Sequence, residues 1–95
     1  MRPVKSISLM GRRWALRYVP KLKDLWGDCD PPEKPGRTIR ISREAHGVKE
    51  LEVLIHEMSH ACNWLQASEE FIQESSADIA RALWRLGWRK VALEN

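Results

Sequence analysis

Residues 56–60 read H-E-M-S-H, and their types and spacing are those of a metal-dependent hydrolytic site. Positions four apart on a helix lie on the same side, one turn from each other, so the imidazoles of His56 and His60 can reach one cation. Glu57 borders that side without being needed as a ligand, which is where a general base for a metal-activated water belongs. The spacing therefore predicts Zn²⁺ on His56 and His60, with Glu57 as the catalytic base.

A catalytic zinc ion usually has three protein ligands and one open position, so a third ligand is required. Glu74 and Asp78 form an E-x-x-x-D pair on a later predicted helix. We expect Glu74 to bind the metal and Asp78 to accept the free N–H of a ligand imidazole. Glu70 and His46 are alternative third ligands. In the plainer interpretation, Glu74 and Asp78 are solvated helix acids, with Asp78 paired to Arg81.

The elements that must position these residues follow from hydrophobic periodicity. Strands are predicted at 4–9, 14–19 and 37–42, a loop at 20–36, and helices at 48–65 and 69–86. Ser68 is expected to cap the second helix and Gly87 to end it. Strands precede helices, so the predicted class is α+β: a small three-stranded sheet packed on two helices, in one domain spanning residues 1–95.

Each predicted helix carries an apolar stripe that we expect to be buried. The members are Leu51, Leu54, Ile55, Met58, Ala61, Cys62 and Leu65 in the first helix, and Phe71, Ile72, Ile79, Ala82, Leu83 and Leu86 in the second. Val53 and Trp64 continue the side of the histidines and are expected to line the site. Cys29 is expected to pack within its loop.

Composition narrows the class of protein. The chain is 43% hydrophobic and 31% charged, which is typical of a folded domain. It has no apolar run long enough to span a membrane, and its basic N-terminus is not a secretory signal. The two cysteines do not form a disulfide framework. We therefore expect a cytoplasmic protein without a membrane partner.

Charge is segregated along the chain. Residues 1–43 carry a balance of +7, residues 44–78 one of −7, and residues 79–95 one of +3. The acidic part surrounds the histidines, as a divalent cation requires. The basic first hairpin offers a possible weak contact with nucleic acid, although solvated strand faces explain it equally well. Its cations are Arg12, Arg13, Arg17, Lys21 and Lys23.

With these motifs, the chain resembles the zincin metallopeptidases, and within them the gluzincin branch, where H-E-x-x-H precedes E-x-x-x-D on a later helix. Residues 26–88 look more narrowly like small metallopeptidase-like proteins of phages and bacteria. The shared features are a loop similar to W-G-D-C-D-P-P, the segment L-I-H-E-M-S-H-A-C-N-W, and an acidic helix ending in A-L-W-R-L-G-W.

The resemblance implies zinc-dependent hydrolysis of peptide bonds in a peptide or protein substrate. It implies ligands His56, His60 and Glu74, the base Glu57 and the outer partner Asp78. The strand 37–42 would be the sheet edge that aligns the substrate, with Thr38 and Arg40 as substrate-binding residues.

Only fourteen positions separate His60 from Glu74, fewer than in the large gluzincins. We expect no second subdomain to form the far wall of a cleft. Tyr18, His46 and Arg43 are the candidates for stabilising an oxyanion. The competing hypothesis is a non-catalytic binding module that zinc stabilises.

Overall fold

The computed structural model describes residues 4–91, and the predicted domain of residues 1–95 extends beyond them at both ends. Four strands and two helices follow one another along the chain. They are β1 (Ser6–Leu9), β2 (Arg12–Val19), β3 (Gly27–Cys29), β4 (Thr38–Ser42), α1 (Gly47–Cys62) and α2 (Glu69–Arg85). The α+β class is confirmed: α1 packs on the sheet, and α2 packs on α1. No helix in the described range is long and apolar enough to cross a membrane.

The sheet has four strands in the order β1-β2-β4-β3, so the prediction of three strands was wrong. β1 and β2 form the predicted hairpin, which turns at Met10 and Gly11, both with positive φ. β2 lies parallel to β4, and β3 lies antiparallel to β4 on its other side. The added strand falls within the predicted loop 20–36, where three residues are too few for a recognisable alternation.

One correction matters for function: β4 is an interior strand, not an edge. Its main chain is paired on both sides, so the strand that carries Thr38 and Arg40 cannot align a substrate as the resemblance implied. The edge beside α1 is β3. Its residue Asp28 lies opposite Arg40 in the register.

The helix positions are confirmed and their predicted stripes are partly wrong. α1 ends three residues early, after which Asn63 donates to the Ser59 carbonyl. The residues of α1 that are buried are Val53, Glu57 and Ala61, because α1 lies between the sheet and α2. The core combines Val53 and Ala61 with strand residues: Trp14, Ile39, Ile41 and the nearby Ala45.

α2 buries Ile72 of the predicted stripe, but its other buried positions differ from those predicted. Its buried positions are Ile72, Ser76 and Ala80, whereas Phe71, Ile79 and Leu86 are exposed. Ser68 caps the helix, as expected, by accepting the N–H of Phe71 at 3.1 Å. Gly87 follows the helix with φ +95°, the left-handed conformation that favours glycine there.

Candidate metal centre

α1 presents His56 and His60 side by side on one face. Their Nε2 atoms are 3.1 Å apart, and the ring centroids are 4.9 Å apart with the planes tilted by 56°. This arrangement follows from the four-residue spacing, because one helical turn brings the second imidazole level with the first. Both rings therefore direct the same type of nitrogen at one point in space.

The third group at this point is Glu69, the first residue of α2. Its Oε1 lies 3.0 Å from Nε2 of His56, and its Oε2 lies 2.8 Å from Nε2 of His60. The short connection 63–68 and the Ser68 cap start α2 directly beside the end of α1, which places Glu69 at the histidines. Among the described residues, His56, His60 and Glu69 are the one group with ligand atoms within 4.8 Å of one another.

The structure does not bring Glu74 to the histidines. Glu74 is five residues beyond Glu69, which is about 140° around the helix and ~7.5 Å along it. It lines a separate shallow depression together with Glu70 and Asp78. Asp78 forms an ion pair with Arg81, as the plainer interpretation held, and His46 is exposed at the start of α1.

The three groups fit a zinc ion. Tetrahedral Zn²⁺ with bonds of about 2.0–2.1 Å would separate neighbouring ligand atoms by about 3.3 Å, and the observed separations are 2.8–3.1 Å. Two imidazoles and one carboxylate form a known donor set for catalytic zinc. Glu69 keeps 62% of its side chain exposed, so the site opens to solvent on the side of α2.

Glu57 lies next to the two histidines, on the side of α1 that faces the sheet, and is only 7% exposed. It belongs to the line of α1 residues that packs on the sheet, and β3 is the strand that covers it. A Cβ at Gly27 would lie 3.2 Å from Cγ of Glu57 and 2.7 Å from Cγ1 of Val53. Gly27 is therefore what allows β3 to approach α1 closely enough to cover Glu57.

Burial changes the charge behaviour of this site. It raises the pKa of Glu57 to about 7, and the negative charges of Asp28 and Glu69 act in the same direction. Burial also lowers the pKa of His56, against the opposing effect of Glu69. A lower pKa favours the neutral imidazole, which is the form that binds a metal. A dication among the ligands would in turn lower the pKa of Glu57, because opposite charge favours the carboxylate.

The site opens into a cleft of about 620 Å³ between β3 and α1. Trp26 and Leu25 stand at one end, and Trp64 stands near His60 at the other, with 6.5 Å between the ring centroids. Lys49 lies over the Trp26 ring at 5.3 Å. Val53 and Trp64 thus line the site as predicted.

The edge of β3 faces this cleft with unused main-chain groups. Trp26 accepts the N–H of Ser42, and Asp30 donates to Thr38, so these two positions pair with β4. In an antiparallel pair the hydrogen-bonding residues alternate, so the N–H and C=O of Gly27 and Cys29 point away from β4. Cys29 also packs on the core, and its half-buried thiol donates to the Asp30 carbonyl at 3.4 Å, as expected for a packing residue.

Thr38 and Arg40, both on β4, bind residues of β3 and of the loop that follows it. Arg40 pairs with Asp28 at 2.6 Å and with the buried Asp30 at 2.5 Å. Asp30 also accepts the Thr38 N–H at 2.9 Å, and these contacts hold the pKa of Asp30 below its ordinary value despite burial. Both residues therefore fix β3 and the following loop onto β4.

The remaining candidate residues lie away from the cleft. Burial and the neighbouring Glu50 raise the pKa of Tyr18. Neither Tyr18, Arg43 nor His46 is among the described residues that line the cleft. On the basic hairpin, Arg12 pairs with Glu33 at 3.5 Å, and Arg13 donates to Ser6. A nucleic-acid contact through this hairpin stays a prediction.

Sequence reasoning did not identify Glu69 as the acid at the histidines, although Glu69 directly follows the predicted cap Ser68. The sequence feature that could have identified Glu69 was the short connection 63–68, which starts the second helix close to the end of the first. Comparisons of the chain with protein-family models, with curated proteins and with solved structures found no match. The resemblance to zincins therefore depends on the motifs of the chain itself.

Proposed function

We propose that this protein is a zinc-dependent peptidase that binds the metal through His56, His60 and Glu69. The observation that supports this most directly is the convergence of two Nε2 atoms and one carboxylate, within 2.8–3.1 Å of one another, next to the buried Glu57. A site that served only to hold helices together would not need that second carboxylate.

Glu57 would act as the general base. Zinc, when bound, supplies a Lewis acid that polarises the scissile carbonyl and lowers the pKa of water. Glu57 accepts the proton of the attacking water and passes it to the leaving amine. Burial raises the pKa of Glu57, whereas a bound dication would lower it again, so the carboxylate would be available as a base.

The substrate would lie along β3 as an additional strand. Gly27 and Cys29 offer their main-chain N–H and C=O groups on the cleft side, next to the metal ligands. An extended peptide can pair with these groups whatever its sequence. The side chains at Trp26, Leu25 and Trp64 would then contact the residues on either side of the scissile bond.

The variant Glu57→Gln tests this proposal. We expect it to bind zinc as the wild type does and to lose about 10²–10⁴-fold in turnover, because a neutral amide cannot accept the proton. Turnover is measured on a peptide library, with zinc content measured by atomic absorption. Glu44→Gln, an exposed change before α1, is the control and should retain full turnover. Unchanged turnover in Glu57→Gln would exclude the mechanism.

The second candidate is a binding module in which zinc has a structural role. The observation in its favour is that the ligands come from two helices, so that a metal would join the end of α1 to the start of α2. It predicts no cleavage of any peptide by the wild type, and no effect of Glu57→Gln on partner binding.

A further inference from the structure

One flank of α2, about 100° around the helix from its buried positions, carries a line of exposed apolar side chains. Phe71 is 64% exposed, Ile79 is 47% exposed and Leu86 is 75% exposed. Ser75 and Ala82 complete the line, which follows the three- and four-residue spacing of one helix face. We call this line the α2 stripe. It is separate from the buried positions of α2 and from the metal centre.

A band of charge runs beside the α2 stripe. At 100° per residue, its members span about 80° of the helix surface. They are all exposed: Glu70, Glu74, Asp78, Arg81 and Arg85. The first half of the band is therefore acidic and the second half is basic. The helix dipole favours this order of charge, but it does not explain an exposed apolar stripe alongside.

We propose that the α2 stripe binds the α2 stripe of a second copy of this chain, with the two helices antiparallel. The stripe is symmetric about the point between Asp78 and Ile79. A two-fold axis there places Phe71 of one copy opposite Leu86 of the other, with Ser75 opposite Ala82. The same axis brings the two charged bands together, so the acidic half of each copy meets the basic half of its neighbour.

The charge pattern selects this occupant and this orientation. In a parallel pair the charged band of each copy would lie beside the core-facing side of the other helix, so the two bands would not meet. A partner of uniform charge would match only half of the band.

The expected association is weak. A helix of 17 residues is about 25 Å long. A single pair of such helices buries less than the ~800 Å² per partner that is usual in stable complexes. The dimer should therefore depend on protein concentration, and sedimentation equilibrium over a range of concentrations is the appropriate measurement.

Charge reversal provides the test. Glu70→Arg/Glu74→Arg makes the band largely basic, and Arg81→Glu/Arg85→Glu makes it acidic. We expect the wild type to form dimers, each variant alone to remain monomeric through like-charge repulsion, and an equimolar mixture to form heterodimers. The changes are on exposed residues, and circular dichroism together with zinc content checks that both variants fold.

Two results would overturn the proposal. One is a wild type that stays monomeric at concentrations up to ~1 mM. This result would overturn the proposal whether or not the stripe binds phosphatidylcholine vesicles. The other is a mixture of the two variants that associates no more than either variant does. Ile79→Lys, at the centre of the symmetric contact, should abolish association, and a dimer that persists in this variant would place the interface elsewhere.

Discussion

Glu69 and Glu74 are both exposed acids on the same helix, and the structure separates them by their position around it. Glu69 is at the start of α2, with its two oxygens directed at the two histidines. Glu74 is directed to a different depression of the surface. Which of the two acids reaches the histidines depends on its angular position around α2, and therefore on the residue at which α2 begins.

Replacing each acid by its amide distinguishes them. We expect Glu69→Gln to weaken zinc binding by more than about tenfold, or about 1.4 kcal/mol, because the charged ligand is lost. Glu74→Gln is the matched control and should bind zinc as the wild type does. Isothermal titration calorimetry measures both. The reverse result would restore Glu74 as the third ligand and exclude Glu69.

The sequence was sufficient for residues whose geometry is local. His56, Glu57 and His60 share one helix, so their relative positions follow from helical spacing alone. The third ligand depends on the conformation of the connection 63–68, which no periodicity encodes. Several acids follow that connection, and sequence reasoning chose among them by resemblance to a motif rather than by distance.

At the scale of elements, β3 also could not be predicted from local sequence patterns. Its three residues have no alternation of their own, and what makes them a strand is pairing with β4 and the ion pairs of Arg40 with Asp28 and Asp30. The hairpin of β1 and β2, the strand β4 and both helices carry their patterns locally and were predicted. β3 therefore forms because its neighbours pair with it, not because of a pattern in its own sequence.

Gly27→Ala tests the close approach of β3 to α1. The new methyl would lie 2.7 Å from Cγ1 of Val53 and 3.0 Å from the Arg40 carbonyl. Such overpacking typically costs about 1–3 kcal/mol, so we expect the free energy of unfolding in urea to fall by that amount.

A double-mutant cycle provides the control. Val53→Ala removes the methyl that the Cβ introduced at position 27 would meet, so the double variant should lose less stability than the sum of the two single variants. Strict additivity would show that the two side chains do not compete for the same space.

At the scale of the whole molecule, a chain of 95 residues buries a modest core, and a metal that joins its two helices would add much to its stability. Zinc present at 100 times its dissociation constant contributes about 2.7 kcal/mol to the folded state. In a domain of this size each 1 kcal/mol corresponds to roughly 4–8 °C in Tm.

We therefore expect a chelator to lower the Tm of the wild type by about 10–20 °C, measured by differential scanning calorimetry. His60→Ala is the control: its melting should be nearly the same with and without chelator. A wild type whose Tm is insensitive to chelator would contradict zinc binding as described.

The connection between the helices also bears on the order of folding. All three candidate ligands lie within residues 56–69, in a helical hairpin of near-neighbour contacts, whereas pairing Ala15 with Thr38 requires a long loop to close first. Local contacts form fastest. We expect the ligands to assemble before the sheet does. Glu57 would then be shielded from water only after Gly27 has packed against α1.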